Sequence, residues 1–150
     1  MAMACQPALL IADEPTSGLD ATLQQQVLDL LRRQVEVLKS SMLLITHDMG
    51  VVGSTCEDVA VMYGGRIMEV GPTKLVLRHP VHPYTEKLID SFSRSKDGKM
   101  TSIPGAVGPP ISELKGCPFS DRCHKADQEC QTHLPQLMHK ENRMVACNKI

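Results

Sequence analysis

Two short apolar runs, residues 8–12 (ALLIA) and 42–45 (MLLI), stop abruptly at polar clusters, Asp13-Glu14 and Thr46-His47-Asp48. Continuous apolar runs of that length are the pattern of strands buried in a parallel sheet. Between them Leu23, Val27, Leu30, Leu31, Val35 and Leu38 recur at helical spacing. They predict an amphipathic helix with one core-facing stripe. Asp20 can cap its start, and so can Thr22 with Gln25 completing a capping box. Residues 59–63 and 66–70 alternate better and flank Gly64-Gly65, which predicts a hairpin. Helical segments are expected near residues 73–77 and 84–93.

From about residue 95 the texture changes. Gly98, Pro104, Gly105, Gly108, Pro109 and Pro110 are too many breakers for a regular element. Four of the six cysteines follow. The pattern therefore divides into an α/β region (1–94), a Pro/Gly linker (95–111) and a cysteine-containing tail (112–150), with no internal repeat.

Composition narrows the function classes. The 150 residues fit one domain by length, and a hydrophobic fraction of 42% sets the chain apart from disordered sequences. A net charge of −1 and only two Tyr, two Phe and no Trp give little to hold a polyanion or stack on bases. Nucleic acid is thus not the expected partner. No run approaches the roughly 18 consecutive apolar residues of a membrane span. The start, MAMACQP, carries no basic region followed by a long apolar stretch, so no signal peptide is visible. The expected compartment is the cytoplasm, where cysteines are free or metal-bound more often than paired.

Two strands ending in polar clusters can present both to one site, because ligands of parallel α/β sheets bind at the carboxyl ends of strands. An acidic pair there suits Mg-nucleotide chemistry: one carboxylate holds the hydrated metal and its neighbour polarises a water. A histidine on the adjacent strand end can contact the phosphoryl group. The same carboxylates equally suit a turn and a helix cap, and a strand-end histidine needs no function.

The longer strings add to this. Leu9-Leu10-Ile11-Ala12-Asp13-Glu14-Pro15-Thr16-Ser17-Gly18-Leu19-Asp20 resembles the Walker B segment and D-loop of ATP-binding-cassette (ABC) ATPases, and Leu44-Ile45-Thr46-His47-Asp48 resembles their switch-histidine segment. The resemblance implies an α/β fold: the C-terminal part of a P-loop NTPase parallel-sheet core, followed by a loop-rich cysteine tail. It implies that Asp13 acts on Mg²⁺, that Glu14 is the general base, and that His47 contacts the γ-phosphate of ATP. Ser17, Gly18 and Asp20 would lie in the nucleotide-binding loop that crosses to a second ATPase subunit, identical or not.

The departures matter equally. No Gly-x-x-x-x-Gly-Lys-Ser/Thr loop and no Leu-Ser-Gly-Gly occur in the sequence. Met1-Ala2-Met3-Ala4-Cys5 resembles the end of the helix that follows the latter motif, so the chain is expected to be a truncated portion of its parent fold. These residues alone are not expected to hydrolyse ATP.

Val59-Ala60-Val61-Met62-Tyr63-Gly64-Gly65-Arg66-Ile67 resembles a hairpin common to ABC ATPases. His79-Pro80-Val81-His82-Pro83-Tyr84-Thr85 is similar to the H-P-Y-T segment of dipeptide, oligopeptide and nickel import subunits. Physically, Pro80 and Pro83 would end one helix and start another, with Tyr84 packing as core. The implied function is an energy-coupling ATPase, peripheral on the inner face of the membrane, that drives permease subunits of a peptide importer.

Cys117, Cys123, Cys130 and Cys147, separated by 5, 6 and 16 residues, are similar to the cysteine region of those subunits. They can ligate a 4Fe-4S cluster, hold a structural zinc, or remain free or disulfide-bonded. Few apolar residues lie in the tail, which argues for a staple, and the resemblance to those subunits places a cluster ahead of zinc. His124, His133 and His139 lie close enough to substitute as ligands, although lone exposed histidines are the commoner case. Cys5 and Cys56, beside apolar positions, are expected to be buried and inert. Two rival classes remain: a non-catalytic binding module that keeps the cysteine and partner surfaces, and an ABC-type ATPase of DNA repair or translation, which the H-P-Y-T segment disfavours.

Overall fold

The computed structural model describes residues 3, 5–92, 103 and 113–150. The linker (95–111), apart from Ile103, and Met1, Ala2 and Ala4 lie outside the described residues. The chain is mixed α/β and divides into two units, Met1–Cys56 and Glu57–Ile150.

In the first unit, β1 (Leu9–Asp13) pairs in parallel with β2 (Ser41–Ile45), Asp13 opposite Ile45. The crossover is α1 (Ala21–Leu38). Asp20 is its cap, accepting the N–H groups of Thr22 and Leu23 at 3.0 Å. The helix ends at Lys39, whose φ of 51° is left-handed, and Ser40 N–H returns to the Val35 carbonyl. Its inward stripe runs through Gln24, Val27, Leu28, Leu31, Val35 and Leu38. Leu23 and Leu30, expected on that stripe, are exposed, and Leu28 is its most buried side chain.

The strands were expected to be buried on both faces. Only Leu10 and Ala12 of β1 are buried, whereas Leu9 and Ile11, with Leu43 and Ile45 of β2, are exposed. A two-stranded sheet has one layer packed on it, and period-2 alternation turns the other side chains away. Cys5 is exposed and Cys56 half-buried, so the expectation of two buried cysteines is corrected. A helix not foreseen, α2 (Met49–Thr55), follows β2 and is capped by Asp48.

The second unit is built on the hairpin of β3 (Asp58–Tyr63) and β4 (Arg66–Pro72). Gly64 and Gly65 have φ of 54° and 76°, the left-handed pair a two-residue hairpin turn needs. The register slips by one residue between Val61 and Met62, leaving Met68 as the extra residue of a bulge in β4. Alternation breaks there, and the consecutive side chains Met68 and Glu69 both face inward.

The tail joins this sheet. β5 (Met138–Lys140) and β6 (Arg143–Val145) form a second hairpin, and β6 pairs with β4, giving the order β3-β4-β6-β5. The chain therefore divides after Cys56, and the described tail is continuous with the β3–β4 hairpin in one unit. Phe119, from the tail, packs with Tyr63 and Met68, and Tyr84, Ile103, Cys117 and Cys123 surround them. The rings of Tyr63 and Phe119 meet edge-on at 5.3 Å, and Tyr84 lies 5.2 Å from Phe119. Such ring pairs add about 0.5–1.5 kcal/mol beyond burial. α3 (Thr73–Arg78) and α4 (Pro83–Phe92) flank Pro80 as expected, and α5 (Gln128–Thr132) completes the set.

Candidate functional site

Parallel pairing of β1 with β2 brings the two polar clusters to the same edge. Glu14 N–H donates to the Ile45 carbonyl at 2.9 Å, extending the ladder by one step. Glu14 then takes a φ of 46°, a left-handed conformation unusual for a side-chain-bearing residue. Its carboxylate reaches Nδ1 of His47 at 2.7 Å. Hydrogen bonding to Glu14 and its charge hold the His47 imidazole above the ordinary value, against a smaller effect of desolvation. The ring is 81% exposed and the Glu14 side chain 37%, so the pair faces solvent.

Asp13 is exposed at the end of β1, beside Glu14. Ser17, Gly18 and Asp20 occupy the exposed turn that follows. Ser17 N–H bonds to the Glu14 carbonyl, which ties this turn to the strand end. Asp20 is committed to capping α1. Asp48 accepts from Gly50 and Val51 on one oxygen and from the Gln24 amide at 3.2 Å on the other. The Val51 N–H is the largest influence holding its carboxyl below the usual range. Gln24 escaped the sequence reading; its polar side chain on the inward stripe of α1 was the available signal.

In the second unit the buried Glu69 carboxylate meets Arg143 at 2.9 Å and also accepts the N–H groups of Val81 and His82. Arg143 donates in turn to the His79 carbonyl. The histidine–proline segment is thereby fastened to β4 and β6. His82 Nδ1 accepts Tyr84 N–H at 3.0 Å, so the imidazole caps α4 ahead of Pro83. Burial pushes His82 down to about 4.

Cys117, in a loop, lies against Cys130 of α5, with Cys117 N–H bonded to the Cys130 carbonyl at 2.7 Å. Gly116 permits this approach, because a Cβ there would lie 2.4 Å from the same carbonyl oxygen. Burial pushes the Cys117 thiol up to about 11, and negative charge on Cys147, Cys130 and Cys123 adds to the rise. Cys130 and Cys147 are likewise raised by burial. The four thiols thus share one neighbourhood and are unpaired in the structure. Among the described residues, however, no three His, Cys, Asp or Glu side chains are arranged to hold a metal ion. His124, His133 and His139 are all exposed. Among the described residues no helix is long and apolar enough to cross a membrane.

Residues 68–130 match the family described as oligopeptide/dipeptide transporter, C-terminal region. The chain is 43% identical over 150 residues to the oligopeptide transport ATP-binding protein AppD of Bacillus subtilis, covering 98% of this chain and 46% of that protein. It is 44% identical over 133 residues to the oligopeptide transport ATP-binding protein OppD of Haemophilus influenzae, covering 87% and 41%. With the dipeptide transport ATP-binding protein DppD of Haemophilus influenzae it shares 41% identity, covering 99% and 46%. Over most of its length the chain resembles the ATP-binding proteins of peptide transport, and it spans just under half the length of these relatives.

Proposed function

We propose that these residues are part of the ATP-hydrolysing, energy-coupling subunit of a di- or oligopeptide importer. The observation that carries this reading is the 2.7 Å contact between Glu14 and His47, which unites the ends of two parallel strands in one solvent-facing pair. Glu14 is the general base that accepts a proton from the attacking water, and His47 donates to the γ-phosphate of ATP. Asp13, an exposed carboxylate at the strand end, has the hard oxygen donors that Mg²⁺ prefers. The bound Mg²⁺ would neutralise phosphate charge. Ser17, Gly18 and Asp20 face a second ATPase subunit, permease subunits are the coupled partners, and the assembly works at the cytoplasmic face of the membrane. Restoring the chain to the relatives' length and replacing Glu14 with Gln tests the assignment: ATP binding should persist and turnover should vanish. A wild-type rate for that variant would refute the base.

A second reading concerns the four tail cysteines, proposed as thiolate ligands of a 4Fe-4S cluster or, failing that, zinc. Its support is their mutual electrostatic influence and the backbone N–H groups of Phe119, Lys125 and Lys149 directed at Cys117, Cys123 and Cys147. N–H donors aimed at sulfur favour the ionised form that ligation requires.

A further inference from the structure

Asp48 joins three separate segments of the first unit. One carboxylate oxygen caps α2 through Gly50 at 2.8 Å and Val51 at 3.1 Å. The other accepts from Nε2 of Gln24, 24 positions earlier in the chain. An ionised carboxylate only accepts, so the amide nitrogen of Gln24 must be the end that faces it. Asp48 N–H in turn bonds to Oγ1 of Thr46 at 3.1 Å. Both neighbours of His47 are therefore fixed, while among the described residues the exposed imidazole itself reaches only Glu14.

Gln24 stands in the first turn of α1, and its N–H bonds to the carbonyl of Asp20 at 2.8 Å. Asp20 closes the loop that contains Ser17 and Gly18. A displacement of that loop moves the first turn of the helix, and the Gln24 amide is the side-chain link from that turn to Asp48.

We propose that Gln24 is a positioning residue: by holding Asp48 it fixes the turn at residues 46–48 so that the His47 ring meets Glu14, and it ties the loop at residues 17–20 to that pair. The functional meaning rests on the reading of Glu14 and His47 given above. A second subunit pressing on the loop would then act on the hydrolytic pair through one amide.

The test uses the 150-residue chain and the side-chain NMR signals of His47 across pH. Glu14 and Asp48 are the charged groups acting on that ring. Gln24→Met matches the length, removes the donor, favours helix and adds no charge. It should lower the His47 midpoint part of the way to the value in Glu14→Gln, and the double variant should match Glu14→Gln alone. Gln24→Leu supplies the same readout if the methionine unsettles the turn, and thermal melting of each variant separates a local change from unfolding. A midpoint unchanged by both substitutions overturns the proposal, as does an equal decrease in the Glu14→Gln background, which would bypass the pair. A response of His47 to Gln24 combined with wild-type turnover of Glu14→Gln at the relatives' length would keep the positioning role and remove only the catalytic assignment.

Discussion

The Glu69 carboxylate and the Arg143 guanidinium meet at 2.9 Å, 74 positions apart in the chain, with side chains 0% and 1% exposed. The pair joins the bulge of β4 to the tail hairpin, and both partners also hold backbone of the histidine–proline segment. Breaking a buried pair from one side leaves an uncompensated charge, at about 3–5 kcal/mol. Arg143→Met should therefore destabilise the chain by about that much in urea unfolding. Replacing both residues with Met should not be neutral, because the Val81 and His82 N–H groups would lose their acceptor. A loss below about 0.5 kcal/mol for Arg143→Met would show that the clamp does not hold the tail.

His82 gives the second unit a pH dependence of defined sign. Its folded value, about 4, lies below the ordinary 6.5, so the unfolded chain binds the extra proton first. The stabilising contribution is complete above about 6.5 and is lost as pH falls toward about 4, with about 3 kcal/mol at stake at ~1.4 kcal/mol per unit. His82→Asn keeps an acceptor for Tyr84 N–H and cannot titrate. Its unfolding free energy should be flatter than that of the wild type between pH 6.5 and 4. Parallel curves would exclude His82 as the source.

The exposed Glu14–His47 pair has the opposite sign. The imidazole is raised above its ordinary value, so its stabilising effect is present below that value and disappears as pH climbs through the folded one. In a protein of the relatives' length, His47→Ala should bind ATP and lose most turnover, because the proposed phosphoryl contact is made by the ring. Turnover above half of wild type would remove His47 from the mechanism.

Mg-ATP should not bind tightly to these 150 residues alone. Glu14 can polarise a water only where a phosphate is held in line, and the sequence supplies no glycine-rich cradle with its lysine. Titration calorimetry should show no micromolar site. A micromolar dissociation constant would require another phosphate-binding element.

What the sequence revealed, and what it hid, follows from the range of the interactions involved. Strands β1 and β2 and the hairpin at Gly64-Gly65 are local patterns, and they were legible, whereas the choice of Asp20 over Thr22 as the cap of α1 was not. Two polar strand ends in a parallel pair pointed to one shared edge, while the contact of Glu14 with His47 is visible only in the structure. The inward turn of Glu69 was not legible, because it depends on a bulge whose register is fixed by pairing across the hairpin. Strand β6 was also missed: three residues beside Glu141 and Asn142, both at positive φ, form a strand only where β4 supplies the ladder. The tail is expected to need a staple because few apolar residues lie in it, whereas the buried Arg143 joins it to Glu69 of β4.

The tail thiols allow the last prediction to separate a metal site from inert cysteines. With Cys117 pushed up to about 11 and Cys130 and Cys147 also raised, the metal-free thiols are protonated at neutral pH and should alkylate slowly. Exposed Cys5 should react first. Ligation requires thiolates, so zinc added to anaerobically prepared chain should release protons, and uptake should weaken as pH falls. An iron–sulfur cluster would instead arrive with the purified protein, giving visible absorption and iron by metal analysis. Cys130→Ser should abolish either form of binding, because four thiolates complete the set. Metal-free protein that takes up neither zinc nor iron, and whose unfolding is unchanged by Cys130→Ser, would leave Glu69, Arg143 and the β4–β6 ladder as the tail's staple.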